Sequence, residues 1–464
     1  MLFSSMSFIF LFLPAVLLLY FLLPEKFRNA VLLIFSIIFY AWGEPVYCLV
    51  MLAVSLINYL AALMMKENNR RIVLASAVAA NLGVLIYFKY SGFVIENINA
   101  LFSQDIPSWR VALPIGISFY TFQSISYIVD VYRREIPVQR NFFKLLLFIS
   151  FFPQMVAGPI LKYHDVLPYL GKRCVTPEKF AYGLKRFIAG LSKKMLIANV
   201  LGSVADRVFE GNGVHYPAWM SWAGVLAYTF QIYYDFSGYS DMAIGLGALF
   251  GFRFMENFNY PYISQSVTDF WRRWHISLST WFREYLYIPL GGNRRGKWRN
   301  VCNLFIVFLA TGIWHGASWN FVLWGVWHGV FLAVEKFTKL HERVPAVLCR
   351  IYTAAVVFSG WILFRSPTVA DAWAMVKRMT GFAEKSEILF PAELFLNNGE
   401  MIAFTAAALL IFPIWGNLAG VSAQESPVPL WRRVAVNIIL CVLFFLCVTK
   451  IATTTGNPFI YFRF

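Results

Sequence analysis

The chain has 464 residues, of which 59% are apolar and only 14% are charged, and its mean hydropathy is +0.61. Soluble domains are about half apolar and about a quarter charged, so this composition excludes an ordinary soluble protein. The net charge of +16 does not indicate a nucleic-acid partner, because Lys and Arg lie in short stretches between apolar segments, where topology and anionic headgroups explain them. The length accommodates roughly ten to twelve spans of about 20 residues. We expect residues 1–464 to form one all-α transmembrane domain surrounded by membrane lipids.

Four apolar runs open the chain. They cover residues 3–23, 30–42, 46–65 and 72–88. The segments between them alternate in charge, because residues 24–29 and 66–71 are basic whereas the turn Gly43–Pro45 is not. Basic loops face the cytoplasm, so this alternation predicts that the N-terminus and the turn face outside. The first basic residues follow the first run, which is therefore expected to be a retained span and not a cleaved signal peptide.

A fifth run at 113–131 is followed by basic residues at 133–144, and a short run at 145–161 is followed by a second basic stretch at 162–186. Two successive basic loops imply that residues 145–161 do not cross the membrane. This run contains two prolines and a glycine, which predicts a re-entrant element, and the alternative is a kinked full span. Later spans are expected near 187–205, 217–234, 301–335 as a hairpin, 351–365, 402–419 and 434–450.

Residues 270–299, FWRRWHISLSTWFREYLYIPLGGNRRGKWR, combine aromatic and basic side chains. At about 100° per residue, the aromatic residues share one stripe with His275, whereas Arg272, Arg273 and Arg283 lie away from it. This pattern predicts an interfacial amphipathic helix with its aromatic face turned inward. Burying His275 is costly, which makes it a functional candidate, and the alternative is a structural histidine bonded to a backbone carbonyl.

Residues 311–329, TGIWHGASWNFVLWGVWHG, contain a second candidate. His315 lies between two apolar stretches, with Trp314 and Asn320 nearby. Because few polar residues are present, we expect the tip of this hairpin to lie within the protein. His315 is therefore the leading candidate for chemistry. His328 faces away from His315 if one helix contains both, and we interpret it as structural.

Two carboxylates, Asp235 and Asp241, lie inside the apolar segment QIYYDFSGYSDMAIGLG. Three roles are open for them: binding a cation, accepting a hydrogen bond from a histidine, or satisfying the backbone of a broken helix, which is the default interpretation.

The sequence contains no nucleotide-binding glycine motif, no HExxH and no serine-hydrolase elbow, and its six cysteines lack metal-ligand spacing. We therefore expect no metal and no permanently bound cofactor. Histidine is left as the favoured general base. A neutral imidazole is suited to removing a hydroxyl proton as that oxygen attacks a thioester, which favours acyl transfer.

Several blocks in this order resemble the membrane-bound O-acyltransferase superfamily, specifically the bacterial branch typified by the alginate O-acetyltransferase membrane subunit. The resemblance extends over nearly the whole chain. Besides the two histidine segments, it rests on MLFSSMSFIFLFLP at the start, PIGISFYTFQSISYIVDVYR at 114–133, FFPQMVAGPI at 151–160, YYDFSGYSDMAIGLG at 233–247 and FNYPYIS at 258–264.

The resemblance implies about eleven spans with re-entrant helices around a buried histidine. It assigns the catalytic role to His315 in IWHGASWN and the second family histidine to His275 in FWRRWHISLS. It also implies a multi-pass protein of the bacterial cytoplasmic (inner) membrane, with a cytoplasmic thioester as acyl donor. An extracytoplasmic SGNH-type acetyltransferase is the implied partner, and the polysaccharide that finally receives the acetyl group is not fixed.

The leading hypothesis is O-acetylation from acetyl-CoA, with His315 as base or acyl acceptor and His275 as its partner. Trp314 and Asn320 are further substrate-binding candidates. Two rivals are open: D-alanyl transfer to teichoic acid from a carrier protein, and a transporter or flippase whose histidines relay protons. Six cations are expected to attract CoA phosphates, or alternatively lipid headgroups: Arg272, Arg273, Arg283, Arg294, Arg295 and Lys297.

Overall fold

The computed structural model describes residues 1–107, 111–211, 214–382, 388–389, 391, 395–413, 429–453 and 459. Helices dominate these residues, and the strands among them are limited to the two-residue parallel pair Val214–His215 and Ile388–Leu389. The all-α prediction is therefore confirmed. The chain divides into two compact units, Met1–Phe187 with Ser240–Met255, and Ile188–Tyr239 with Glu256–Phe464. The prediction of a single domain over 1–464 stays a prediction.

The first unit contains the helices of the N-terminal apolar runs and several short helices. They are α1 (Phe8–Leu22), α2 (Arg28–Ala41), α3 (Cys48–Met64), α4 (Arg70–Phe102), α5 (Ile117–Arg133), α6 (Phe142–Ser150), α7 (Phe152–Met155) and α8 (Tyr163–Val166). Two long helices, α9 (Pro177–Glu210) and α10 (Ala218–Leu249), contribute residues to both units.

The second unit contains the two histidine segments. Its helices are α11 (Val267–Arg273), α12 (Ile276–Phe282), α13 (Lys297–His315), α14 (Trp319–Thr338), α15 (Leu340–Arg343), α16 (Ala346–Arg365), α17 (Val369–Thr380), α18 (Asn398–Leu410) and α19 (Leu430–Thr453). Helices α13 and α14 form the hairpin predicted at 301–335.

The segment between α5 and α8 returns to the side from which it starts. The Gln139 side chain donates to the Tyr163 hydroxyl at 2.6 Å, and the Tyr163 ring contacts Phe148 with centroids 5.1 Å apart. Helix α6 is only about 13 Å long, far less than the roughly 30 Å of a bilayer core. Residues 145–161 therefore turn back within the first unit, and their re-entrant position in a membrane stays a prediction.

Contacts within the first unit pair its loops as the charge alternation predicts. Arg70 donates to the carbonyls of Val131 and Tyr132 at 2.9 and 2.6 Å, which brings the start of α4 to the end of α5. At the opposite end of these helices, the Glu44 carboxylate accepts from the backbone N–H of Ile115 at 2.9 Å. The basic segments at 66–71 and 133–134 thus share one side, and the turn at 43–45 lies on the other.

Among the described residues, four helices are long and apolar enough to cross a membrane: Arg70–Phe102, Pro177–Glu210, Ala346–Arg365 and Leu430–Thr453. The count of about eleven spans stays a prediction. Three predicted runs are at least ten residues longer in the structure. Helix α4 continues past residue 88 to Phe102, α10 continues past residue 234 to Leu249, and α9 covers Pro177–Glu210 where 187–205 was predicted. The run predicted at 402–419 is shorter, because α18 ends at Leu410, and residues 414–419 lie outside the described residues.

Candidate functional site

His315 is the last residue of α13, and two close backbone contacts fix its depth. A Cβ on Gly312 would lie 2.3 Å from the carbonyl oxygen of Phe321, and one on Gly325 would lie 2.5 Å from that of Phe308. Glycine is therefore required at both positions for α13 and α14 to pack at this distance. The contact holds the hairpin tip inside the unit, where His315 is only 5% exposed.

Aromatic rings surround the His315 imidazole. Its centroid lies 5.0 Å from the Trp314 ring, 5.1 Å from the Trp324 ring and 5.1 Å from the Phe364 ring, all edge to face. These rings exclude bulk water, so electrostatic interactions with a substrate are stronger here than at the surface. The predicted position of His315 within the protein is confirmed.

The predicted continuous helix through His275 is wrong. Helix α11 ends at Arg273, and His275 adopts the left-handed conformation, with φ 45° and ψ 55°, before α12 begins. Asn257 stabilises this break, because its carbonyl accepts from Ile276 at 2.9 Å and its side chain accepts from the Ser277 hydroxyl at 2.9 Å. A left-handed conformation at a non-glycine residue costs about 1–3 kcal/mol and is concentrated at functional sites.

The break turns the His275 ring towards the aromatic interior. Its centroid lies 4.6 Å from the Phe236 ring and 6.3 Å from the Trp314 ring, so both candidate histidines lie near Trp314. The backbone N–H of Leu278 donates to Nδ1 of His275 at 3.3 Å. A neutral His275 therefore carries its proton on Nε2 and can donate from that nitrogen.

Helix α14 positions α11 through a buried carboxylate that the sequence analysis missed. Glu335, 4% exposed, accepts from the backbone N–H of Val267 at 2.5 Å and from the N–H and hydroxyl of Thr268 at 2.9 and 2.7 Å. The first turn of α11 is thereby fixed to the helix that follows His315. The sequence did contain a signal for the role of Glu335, because a lone glutamate in an otherwise apolar segment is costly to bury and usually has a partner.

His328 does not face away from His315, because α13 ends at His315 and the helix is not continuous. Both imidazole rings contact Trp324, with centroid distances of 5.0 Å from His328 and 5.1 Å from His315.

Asn320 and Trp314 are both buried, and the Asn320 amide donates to the carbonyl of Ser366 at 2.5 Å. Asn320 thus ties the start of α14 to the end of α16.

The predicted cations lie away from His315. Arg294, Arg295 and Lys297 are exposed around the start of α13, about 27 Å along that helix from His315. The other three cations lie at the end of α11 and directly after α12. Arg272 is exposed. Arg273 pairs with Asp269 at 2.9 Å, and Arg283 pairs with Glu284 at 3.4 Å.

The two predicted carboxylates form ion pairs. Asp235 pairs with the buried Lys194 in the second unit, and Asp241 pairs with Arg186 in the first. The default interpretation, in which these carboxylates satisfy the backbone of a broken helix, is wrong. Helix α10 is continuous through both residues. Lys194 could not be recognised from its local sequence, since its partner is 41 residues away.

Among the described residues, one cluster contains side chains that could ligate a metal ion. It consists of Asp130, Glu135 and His164 of the first unit. Both ring nitrogens of His164 are occupied, Nδ1 by Asp130 at 3.1 Å and Nε2 by Asp165 at 3.2 Å. Hydrogen bonds to Asp130 and then Asp165 raise the pKa of His164 to about 10. The cluster is therefore an ion pair that joins α5 to α8.

Comparisons with known proteins agree with this geometry. The family model described as "MBOAT, membrane-bound O-acyltransferase family" matches residues 130–370, a range that includes His275 and His315. A protein of Pseudomonas putida named "Probable alginate O-acetylase AlgI" is 41% identical over the full length of both chains. The chain belongs to the membrane-bound O-acyltransferase family. It is therefore an O-acyltransferase, as the motifs predicted.

Two further relatives extend the comparison. A Pseudomonas aeruginosa protein with the same name is 46% identical, over 82% of this chain and 75% of its own length. A Helicobacter pylori protein named "Peptidoglycan O-acetyltransferase" is 35% identical, over 82% of this chain and 80% of its own length.

Replacing Glu335 with Ala should lower the free energy of unfolding by about 2 kcal/mol or more, because two backbone N–H groups at the start of α11 lose their acceptor. Glu335→Gln keeps one acceptor oxygen and should lose less. Thermal unfolding of the purified protein in detergent measures both changes. Glu342→Ala removes an exposed glutamate near the end of α14 and serves as the control. Equal losses for Glu335→Ala and Glu342→Ala would contradict the positioning role of Glu335.

Proposed function

We propose that this O-acyltransferase takes an acetyl group from cytoplasmic acetyl-CoA at the bacterial inner membrane and moves it toward O-acetylation of an extracytoplasmic polysaccharide, alginate or a similar glycan. The observation that carries this proposal is the burial of His315 among aromatic rings, with His275 near the same Trp314 ring. The names of the relatives, which refer to acetyl transfer to alginate and peptidoglycan, support the choice of acetyl.

His315 has the chemistry of the general base. It removes the proton from an attacking hydroxyl group, whose oxygen then bonds to the thioester carbonyl carbon. The carbon–sulfur bond breaks, and the departing thiolate takes the proton back from His315. Alternatively, a nitrogen of His315 attacks the thioester carbonyl carbon, the carbon–sulfur bond breaks and CoA leaves as the thiolate. A hydroxyl oxygen then attacks the acetyl carbon, the carbon–nitrogen bond to His315 breaks, and the hydroxyl proton passes to the thiolate. His275 carries its proton on Nε2 and acts as the partner of His315 by donating a hydrogen bond from this nitrogen.

The exposed cations around the start of α13 are suited to binding the donor. Guanidinium and ammonium groups pair strongly with phosphate oxygens, and Arg294, Arg295 and Lys297 lie together at this end of the hairpin. Because His315 is at the other end of α13, the donor has to extend through the protein to reach it. Acetyl-CoA is a substrate in this proposal and not a resident cofactor.

A separate partner is proposed to select the sugar. The segment 366–397, between α16 and α18, is too short to fold as an independent glycan-binding domain, since domains below about 40 residues need additional stabilisation. A hydrated polymer also does not fit among the buried aromatic rings around His315. We propose that an extracytoplasmic SGNH-type acetyltransferase receives the acetyl group and transfers it to the polysaccharide.

His315→Ala should reduce acetyl transfer by about a hundredfold to ten-thousandfold, because the general base is lost. Release of free CoA thiol by the purified protein measures the reaction. His164→Ala makes the same chemical change in the first unit and should retain the wild-type rate. A His315→Ala protein that elutes like the wild type and keeps its activity would remove His315 from the mechanism. A wild-type protein that releases no thiol would favour the transporter.

Neutralising Arg294, Arg295 and Lys297 together with Gln should raise the KM for acetyl-CoA and weaken its dependence on salt, because phosphate contacts are lost. The kcat should change little. A matched control neutralises Lys26, Lys66 and Arg71, which are exposed cations of the basic loops in the first unit. If KM is unchanged in the first variant, these side chains bind lipid headgroups. If the KM for acetyl-CoA rises equally in both variants, the effect comes from the general surface charge of the protein and not from a donor site at Arg294, Arg295 and Lys297.

A further inference from the structure

Residues 257–259 bridge the break between α11 and α12. The backbone N–H of Asn259 donates to the carbonyl of Arg273, the last residue of α11, at 2.9 Å. The carbonyl of Asn257 accepts from the N–H of Ile276, the first residue of α12, also at 2.9 Å. One short segment is therefore bonded to the chain before the break and after it. This segment overlaps the FNYPYIS block of the family resemblance, to which the proposed reaction gives no role.

The Asn257 side chain adds a second attachment directly after His275. Its Oδ1 accepts from the N–H and the hydroxyl of Ser277 at 3.2 and 2.9 Å, and the residue is 0% exposed. His275 is in the left-handed conformation, which a non-glycine residue adopts only where its surroundings enforce it. The periodicity of residues 270–299 favours one continuous helix instead. The hydrogen bonds to Asn257 therefore act against the preference of the local sequence.

An aromatic ring of the same segment contacts the rings next to the break. The Phe258 centroid lies 5.0 Å from the Trp274 ring and 5.1 Å from the Phe236 ring. Phe236 in turn contacts the His275 imidazole, with centroids 4.6 Å apart. The direction in which His275 points is thus set by contacts of residues 257–259 and not by α11 or α12 alone.

We propose that Asn257 is a positioning residue for acyl transfer, which holds the left-handed turn at His275 and so directs the imidazole towards Trp314 and His315. This inference rests on the proposed function, in which His275 donates a hydrogen bond as the partner of His315. Asn257 acts through His275 and does not touch the substrate. When its Oδ1 is removed, residues 274–275 join the neighbouring helices and the imidazole rotates out of place.

Asn257→Leu tests the assignment, because it keeps a side chain of similar size and removes Oδ1. The kcat for thiol release should fall about tenfold to a hundredfold, since a displacement of about 1 Å in a catalytic group has an effect of this size. The KM for acetyl-CoA should change little. Ser277→Ala is a milder second variant, which removes one donor to Oδ1 and should give a smaller fall in kcat.

The matched control is Asn81→Leu in the first unit. Asn81 is 2% exposed and pairs with Asn58 at 3.0 Å, so the control also removes a buried asparagine with its hydrogen bonds. It should retain the wild-type kcat, because its contacts are not part of the break at His275.

A double-mutant cycle with His275→Ala separates positioning from a general structural effect. When His275 is absent, Asn257→Leu and Ser277→Ala should each change kcat by less than about twofold, since the group that they orient is gone. Radiolabelled acetyl-CoA at high enzyme concentration detects rates down to about a ten-thousandth of the wild type, the largest loss expected for one catalytic group.

Each outcome has a separate meaning. Wild-type protein that releases no thiol would contradict the proposed function itself. An unchanged kcat in folded Asn257→Leu would overturn the positioning role, and so would an unchanged kcat in Ser277→Ala if Asn257→Leu does not fold. Equal losses with and without His275 would overturn it as well, because they indicate a structural effect. A wild-type kcat in His275→Ala would leave Asn257 nothing to position. A loss that requires His275, with KM preserved, supports the assignment.

Discussion

The backbone contact between α13 and α14 is the constraint on which the rest of the site depends. Gly312 faces the carbonyl of Phe321, and Gly325 faces that of Phe308, at distances that no side chain would permit. This contact keeps His315 at the buried tip of the hairpin. It also brings the residues of α14 that lie behind the tip, Trp324 and His328, to the same aromatic cluster. A wider hairpin would admit water and lower the strength of every hydrogen bond at the site.

The polar groups around this hairpin are expensive to bury, and the structure satisfies several of them with long-range partners. Glu335 accepts three hydrogen bonds from Val267 and Thr268, and Lys194 neutralises Asp235. His275 itself caps α12 through Nδ1. The indole N–H of Trp324, by contrast, has no acceptor among the described residues.

The sequence predicted the features that depend on local patterns. Apolar runs predicted the helices, the basic loops predicted which loops share a side, and the two histidine segments predicted where the site lies. The return of the chain between α5 and α8 was also predicted, because two successive basic loops left no room for a crossing. The helix limits at Phe102, Leu249 and Leu410 were not predicted, since tertiary packing decides where a run of helix-forming residues ends.

The features that were missed depend on residues far apart in the chain. Periodicity placed His275 on a continuous helix, but hydrogen bonds to Asn257, some 20 residues earlier, favour a break there. The same limitation concealed Lys194 beside Asp235 and Glu335 beside Val267. His328 was interpreted from a helix that was assumed to pass through His315, and the assumption failed at Gly316, where the chain turns back.

The central claim is that the acetyl group passes through this protein while CoA stays behind, and proteoliposomes test it most directly. Acetyl-CoA is labelled with different isotopes in its acetyl and adenine groups and supplied on the side that carries Arg294 and Arg295. The polysaccharide and an SGNH-type acetyltransferase are enclosed on the other side. The account predicts that the acetyl label reaches the polysaccharide, that the adenine label stays outside with a free thiol, and that His315→Ala stops the transfer. Movement of both labels together across the membrane would contradict it.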